Sequence, residues 1–435
     1  MGSAYRDGHR YDFIVVGSGM GGAVVARELA KAGRDVLVLE SGKREPHVGT
    51  FTEANRFFDT NTLTRMPKKS KEGTIIWRAF LAGGSTVASC GNGVRCLQAE
   101  LAEHGVDLAD DLAAMEAEMG VRPQAEDKLS DMGRRVLEAS RSLGYSFELM
   151  PKIVDPEMCT ACGNCIFGCA QGAKWTAERP LAEAVAHGAE VVEQVHIERA
   201  LRNDGHATGV AGRGPDGAFE AYSDTVVLAA GGLGTPPILA ASGIDGAGEH
   251  LFIDELVNVY GATDEPIKSV EPTMSLVDLE FHDERGFLLS PYISYSKPLR
   301  LADAGSVAAA RSVRHMLGMM VKTRDDGAGR VFPDGTVSKP VTEADRRRLD
   351  DGAAVAAEVL VAAGANRDSV IVSHVQGAHP GGTAAIGELV DTDLQTAVEG
   401  LFVADGSVLP EAPGLPPMVT IGALARRLGR TLATA

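Results

Sequence analysis

At 435 residues the chain exceeds one ordinary domain of roughly 100 to 200 residues, so we expect a large two-part unit or two domains. Hydrophobic residues make up 44% of it and charged residues 23%, which is typical of a globular protein and excludes a disordered chain. The formal net charge of −17 disfavours nucleic-acid binding, because that binding depends on Lys and Arg neutralising phosphates.

The sequence predicts neither a membrane span nor a secretory signal. No apolar run approaches the roughly 20 residues that cross a bilayer. The first ten residues, MGSAYRDGHR, lack an apolar core followed by a small-residue cleavage site. We therefore expect a cytoplasmic protein.

The N-terminal region has the pattern of a dinucleotide-binding βαβ unit. The buried-strand pattern YDFIVV leads into Gly17, Gly19 and Gly22, spaced G-x-G-x-x-G, and a helical stretch precedes the strand DVLVLE. The first glycine permits a tight turn, the second lets the backbone approach a pyrophosphate, and the third allows close packing of helix on strand. Glu40 ends the second strand, where its carboxylate is placed to accept hydrogen bonds from ribose hydroxyls.

The middle and end of the chain continue the alternation of strands and helices. Residues 101–150 have helical spacing and are predicted to cover the core. Strands are predicted at 189–200 and 219–229, and the second runs into a glycine turn and a helix with proline at its start. Residues 246–370 read as mixed strands and a long Ala-rich helix. The last strand, in GLFVADGSVLP, should return to the first sheet.

Four segments, in this order, resemble the glucose-methanol-choline (GMC) family of oxidoreductases. They are YDFIVVGSGMGGAVVARELAKAGRDVLVLESG, LAGGSTVASCGNGVR, VVLAAGGLGTPPILAASGI and the C-terminal block from His379 to Arg427. The resemblance implies an α/β fold, with a Rossmann-like FAD-binding domain of the glutathione-reductase type and a discontinuous substrate domain of mixed sheet plus helices. It assigns residues 1–100, 186–245 and 371–435 to the FAD-binding domain, 101–185 to a helical cap with a four-cysteine segment, and 246–370 to the substrate-binding domain.

The resemblance also implies a set of cofactor-binding residues beyond the first glycine turn. These lie along the pyrophosphate and flavin, near the adenine, or near the ribityl chain: Gly83, Gly84, Ser85, Ser89, Asn92, Val195, Asp405 and Gly406. Val195 would hold the adenine through its backbone. Many members have Asn where this chain has Ser89 and Gly where it has Cys90, so the flavin contact at this point departs from the family.

His379 is the predicted catalytic base. It opens HPGGT, which is similar to the family motif H-x-x-G-T whose histidine faces the flavin. Alcohol oxidation needs a base for the hydroxyl proton while the carbon releases hydride to flavin N5, and histidine titrates near neutral pH. His374 is the second candidate. Where the family supplies a further His or Asn, this chain has Pro416 and Pro417, so a second polar catalyst is absent or comes from elsewhere.

Four cysteines form the run C-x-x-C-x-x-C-x-x-x-C, which resembles the bacterial ferredoxin run: Cys159, Cys162, Cys165 and Cys169. This spacing predicts a 4Fe-4S cluster. In two-cluster ferredoxins the fourth cysteine of such a run binds the other cluster, so Cys169 closes its own cluster here, or Cys90 or Cys96 replaces it, or the cluster is incomplete. A structural zinc site and unliganded thiols are the alternatives.

Together these patterns predict an FAD-dependent dehydrogenase acting on the CH-OH group of a small alcohol-type molecule. Hydride would pass to flavin N5, and electrons would leave through the cluster to an external protein or quinone acceptor. A cluster-fed flavin reductase, or an electron carrier or redox sensor without organic substrate, is the alternative. The sequence names neither the substrate nor the acceptor.

Overall fold

The computed structural model describes residues 5–45, 49–60 and 67–434. The α-helices of these ranges, in chain order, are α1 (Met20–Lys31), α2 (Phe51–Ala54), α3 (Gln98–Glu103), α4 (Ala109–Met119), α5 (Asp131–Ser142), α6 (Glu178–Ala186), α7 (Thr235–Ala241), α8 (Glu280–Arg285), α9 (Lys297–Ala304), α10 (Glu343–Ala362) and α11 (Met418–Thr434).

The β-strands are β1 (Phe13–Val16), β2 (Val36–Glu40), β3 (Ile75–Ile76), β4 (Arg122–Pro123), β5 (Glu148–Leu149), β6 (Pro151–Lys152), β7 (Glu190–Glu193), β8 (His196–Asn203), β9 (His206–Gly214), β10 (Gly217–Tyr222), β11 (Val226–Leu228), β12 (Glu255–Ala262), β13 (Leu276–Val277), β14 (Phe287–Pro291), β15 (Met316–Thr323), β16 (Arg330–Val331), β17 (Val337–Ser338), β18 (Ile371–Val372), β19 (Gln376–Gly377) and β20 (Leu401–Val403).

A five-stranded parallel sheet of order β20-β11-β1-β2-β7 holds the glycine turn. Its central strands β1 and β2 are buried along their whole length, as expected for parallel strands covered on both faces. Helix α1 packs against α6 and α11. The last strand, β20, joins this sheet beside β11, which confirms the prediction that the C-terminal block returns to it. The predicted α/β fold class is also confirmed.

The predicted strand over 189–200 is two strands in different sheets. Strand β7 belongs to the parallel sheet, whereas β8 begins the antiparallel sheet β10-β9-β8. Gln194 separates them with φ 62°, a left-handed conformation that ends an extended run. The second prediction, over 219–229, divides in the same way into β10 and β11. Alternation in the sequence did not reveal either break.

A six-stranded sheet, with β12 at its centre, faces the glycine turn. In the register of β12 with β15, residues on one face pack into a core with α10: Val257, Val259, Met319 and Val321. Residues on the other face line a cavity: Leu256, Asn258, Met320 and Lys322. Strand periodicity of two therefore separates the core side of this sheet from its cavity side.

No α-helix in the described ranges is long and apolar enough to cross a membrane.

Candidate active site and cofactor cavity

A cavity of about 810 Å³ lies between the parallel sheet and the six-stranded sheet. Most of the residues predicted to bind the cofactor line it: Gly17, Gly19, Glu40, Gly84, Ser85, Ser89, Asn92, Val195, Asp405 and Gly406. The predicted base His379 also lines it, whereas Gly22 and Gly83 do not. The tertiary structure therefore gathers segments from across the chain around one space.

The three glycines of the turn have different roles. Gly17 has φ 100°, and a Cβ there would overlap the carbonyl oxygen of Ala229. A Cβ on Gly22 would overlap the carbonyl oxygen of Gly17, so these two positions need glycine for the fold itself. On Gly19 a Cβ would meet only the Cα of Gly84, at 3.9 Å. Gly19 therefore leaves open the space that a phosphate group at the start of α1 would occupy, as a dinucleotide site requires.

The Glu40 carboxylate, predicted to contact the ribose, accepts four hydrogen bonds from the protein. One carboxylate oxygen accepts from the backbone N–H and the hydroxyl of Ser18, at 2.9 and 2.7 Å. The other accepts from the N–H of Gly42 at 2.7 Å and from the Ser41 hydroxyl at 3.3 Å. Glu40 thus ties the glycine turn to the end of β2, and its contact with ribose stays a prediction.

Three other predicted cofactor-binding residues also form hydrogen bonds within the protein. The N–H of Val195 donates to the Glu40 carbonyl at 2.9 Å. The hydroxyl of Ser89 donates to the Thr86 carbonyl at 2.8 Å, so it closes its own turn. The carboxylate of Asp405 accepts from the N–H groups of Gly231 and Ser407 at 2.8 and 2.7 Å. Burial raises the pKa of Asp405, and these donors oppose that shift.

His379 is paired with a buried carboxylate that sequence reasoning did not find. Its Nδ1 lies 2.8 Å from Oδ2 of Asp254, a residue with no exposed side-chain surface. An ionised carboxylate only accepts hydrogen bonds, so Nδ1 carries the proton and donates it to Asp254. The other ring nitrogen, Nε2, is left with a free lone pair. This is the tautomer that a general base needs.

Lys322 stands beside this pair. Its Nζ lies 3.3 Å from Nδ1 of His379 and 3.6 Å from Oδ2 of Asp254, and its side chain is 2% exposed. Burial lowers the pKa of His379, the Lys322 ammonium lowers it further, and the hydrogen bond to Asp254 acts in the opposite direction. Burial also lowers the pKa of Lys322, while Asp254 raises it. The free-base form of His379 is therefore favoured near neutral pH.

No local motif marked Asp254 or Lys322. Asp254 precedes β12 with φ 51°, and Lys322 is a polar residue in the otherwise apolar strand β15. A buried charge in such a strand is the signal that could have indicated a site.

Of the other residues named from the sequence, Pro416 and Pro417 line the cavity without offering a polar side chain. His374 is exposed and does not line it.

The iron–sulfur prediction, with its metal-binding role for Cys159, Cys162, Cys165 and Cys169, is not supported. Across residues 5–45, 49–60 and 67–434 no group of three or more His, Cys, Asp or Glu side chains is arranged to hold a metal ion. All four cysteines are free thiols, and none lines the cavity. The backbone of their loop is instead held by Lys174, whose Nζ donates to the Cys165 carbonyl at 2.7 Å.

The proposed replacement ligands do not complete a centre either. Cys96 lies in the core beside Thr420, and burial raises its pKa to about 12. Burial likewise raises the pKa of Cys90. Neither belongs to a group of three or more candidate metal ligands among the described residues. The cysteine spacing therefore predicted a centre that the described residues do not assemble.

Comparison with known proteins agrees with the flavin-site pattern. Two family models, both described as GMC oxidoreductase, match residues 11–257 and 326–425. An uncharacterised GMC-type oxidoreductase of Mycobacterium tuberculosis is 30% identical over 96% of this chain and 75% of its own. A long-chain-alcohol oxidase of Arabidopsis thaliana is 26% identical over 94% of this chain and 66% of its own. Pyridoxine 4-oxidase from Mesorbium loti has the same fold, with a TM-score of 0.75 and 17% identity over 97% of this chain and 99% of its own.

Proposed function

Because this chain belongs to the GMC oxidoreductase family, whose cofactor is FAD, we propose that it oxidises the CH-OH group of a small alcohol with His379 as general base. The observation that carries the proposal is the Asp254–His379 pair, whose histidine lines the same cavity as the glycine turn. The Arabidopsis relative named as a long-chain-alcohol oxidase supports the choice of alcohols. FAD would lie along Gly19, Gly84 and Gly406.

The residues of this chain supply the proton chemistry. Nε2 of His379 accepts the proton of the substrate hydroxyl, and Asp254 holds the ring in the required tautomer and stabilises the imidazolium that results. Bound FAD would supply the acceptor for the hydride that leaves the carbon carrying this hydroxyl group. Expelling water from the cavity strengthens the charge interactions of this pair. The external electron acceptor, a protein or a quinone, stays a prediction, as does the cytoplasmic location.

Lys322 is a second polar group beside the proposed base, where the family supplies a further His or Asn from another segment. Pro416 and Pro417 offer no side-chain donor, whereas the Lys322 ammonium lies within 3.3 Å of the His379 ring. We assign Lys322 a positioning role: it balances the charge of Asp254 and keeps His379 deprotonated between turnovers.

An anaerobic screen of alcohols, sugars and sterols tests the proposed function. We expect at least one alcohol to bleach the flavin absorbance in a single turnover without any added acceptor. A protein that carries FAD and a neutral His379, yet is bleached by none of these classes and by dithionite only, would contradict the assignment of a CH-OH donor.

Replacing Lys322 with methionine should move the acid limb of the kcat/KM pH profile to higher pH. The ammonium lowers the pKa of His379, so its removal lets Asp254 raise that pKa. The base is then protonated, and inactive, at pH values where the wild-type enzyme works. A pH profile of K322M beside K322R, which keeps the charge, measures this. An unmoved limb in K322M would remove Lys322 from the proposal.

Replacing Asp254 with asparagine should lower kcat by about 10²-fold, because a catalytic group misoriented by even a small distance loses about that much. The amide of asparagine accepts from Nδ1 less strongly, and a turned amide would donate to it and select the wrong tautomer. KM should change little, since Asp254 is buried behind the ring. Steady-state kinetics of D254N, with FAD content and circular dichroism as controls, provide the check; a loss confined to KM would indicate a binding role instead.

A further inference from the structure

Asn258 carries a buried hydrogen-bond acceptor that the protein leaves unused. The residue lies on the cavity face of β12 and is 2% exposed. Its Nδ2 donates to Oδ2 of Asp303 at 2.9 Å. Its Oδ1 has no hydrogen-bond partner among the described residues. Buried polar atoms without a partner are rare in folded proteins, so this oxygen indicates a ligand contact.

The orientation of this amide is fixed by its surroundings. A carboxylate only accepts, so the amide nitrogen must face Asp303, and Oδ1 must face away from it. Asp303 is itself held by the Tyr260 hydroxyl at 2.6 Å and by Nε2 of Gln376. Oε1 of Gln376 accepts from the indole N–H of Trp77 at 2.6 Å, which sets the orientation of that amide in turn. The free acceptor of Asn258 is therefore built into a hydrogen-bonded wall.

Two further polar residues belong to this wall. The hydroxyl of Ser294, which also lines the cavity, is buried and has no partner in the described part of the chain. Asp303 lines the cavity too and forms no ion pair with any described residue. An aliphatic chain packed against this wall would leave the buried polar atoms of Asn258 and Ser294 without partners, which costs free energy.

The wall lies within reach of the catalytic pair. Lys322, beside His379, is the register partner of Leu256 on β12. Asn258 is two residues further along the same strand and the same face, and two residues of a strand span about 7 Å. A molecule with a carbon backbone of a few atoms is long enough to present one group to His379 and another to Asn258.

We propose that Asn258 and Ser294 form a subsite for a second hydroxyl group, so that the substrate is a diol or polyol rather than a plain alkyl alcohol. The inference rests on the proposed oxidation at His379. A substrate hydroxyl can donate to Oδ1 of Asn258, and it can form a hydrogen bond with the Ser294 hydroxyl in either direction. Recognition of the substrate thus pairs one hydroxyl with the base and the other with this wall.

Matched pairs of α,ω-diols and n-alkanols of equal carbon number test the subsite. The rate of anaerobic flavin bleaching, read as kcat/KM, should favour the best-fitting diol by about 10- to 100-fold, since a buried acceptor left without its donor costs about that factor. The diol has two reactive ends, so a statistical factor of about two is removed first. Equal values for diols and alkanols at every length would overturn the proposal.

Variants distinguish the residues that contact the second hydroxyl from the residues that hold Asp303 in place. In Asn258→Leu and in Ser294→Ala the ratio of kcat/KM for the diol to kcat/KM for the alkanol should fall at least tenfold. Tyr260→Phe is the matched control, because it removes another donor to Asp303 but does not line the cavity. It should keep the preference. If Y260F loses the preference as fully as N258L, or if N258L and S294A both retain it with FAD bound, the assignment is wrong.

A binding measurement separates this inference from the proposed function. Tertiary diols cannot be oxidised, because their carbinol carbons carry no hydrogen, so calorimetry compares their dissociation constants with those of tertiary mono-alcohols. Tighter binding of the diol to wild type, lost in N258L, supports the subsite even if no alcohol bleaches the flavin. Bleaching by alkanols without any diol preference in binding or rate would refute the subsite and leave the oxidation standing.

Discussion

Replacing His379 with alanine should lower the rate of substrate oxidation by about 10²- to 10⁴-fold, the range that a positioned general base contributes. The physical reason is the geometry of the ring: Nδ1 is committed to Asp254, at 2.8 Å, and Nε2 alone is left for the substrate hydroxyl. The lowered pKa of His379 keeps that nitrogen unprotonated near neutral pH. Anaerobic stopped-flow bleaching of the flavin isolates this step from reoxidation.

The control for this substitution is His374→Ala. His374 is exposed and lies outside the cavity wall, so its loss should leave the bleaching rate within about twofold. Both variants should retain FAD, because His379 forms no part of the glycine turn. If H379A oxidises the substrate at the wild-type rate, another group is the base, and the Asp254–His379 pair has only a structural role.

Replacing Gly19 with valine should produce a folded protein that does not retain FAD. The Cβ of a residue at 19 would meet the Cα of Gly84 at an ordinary 3.9 Å, so the protein itself accommodates a Cβ at this position. The two methyl groups of valine would extend into the opening at the start of α1, where the pyrophosphate of FAD is expected to lie. Overpacking a close-packed site costs about 1–3 kcal/mol when neighbours can shift. Here the cost should be larger, because Gly17 and Gly22 are pinned against backbone carbonyls and the turn cannot retreat.

Three measurements check the Gly19 prediction: the ratio of FAD to protein after desalting, the circular dichroism spectrum, and the thermal midpoint with and without added FAD. Gly17→Ala is the contrasting variant and should fail to fold, because its Cβ would overlap the Ala229 carbonyl. Full FAD occupancy in G19V would show that the cofactor does not pass this turn.

Several features of the site were predictable because they depend on residues close together in the chain. The βαβ unit, with its strand, glycine turn, helix and acidic strand end, spans about 30 residues. Its hydrogen bonds, such as those that Ser18 donates to Glu40, are formed within this unit. The resemblance of four segments to the GMC family extended this to His379 and the C-terminal block. The cysteine spacing shows the limit of the same approach. A local run of ligand-type residues predicts a metal centre only if the loop directs the thiolates to one point, and the described residues do not do so.

The sequence by itself determined the α/β class, the family and the glycine turn, and it supplied His379 as the predicted base. Only the tertiary structure decided which groups surround that base. Asp254 precedes β12, Asn258 lies on β12, Lys322 lies on β15 and Asp303 lies on α9, all far from His379 in the chain. Antiparallel register and the two-residue period of a strand bring Asn258 and Lys322 to one face, and hydrogen bonds join Asp303 to Asn258 and Asp254 to His379. Such contacts depend on how separate elements align in three dimensions, which no local pattern of residues specifies.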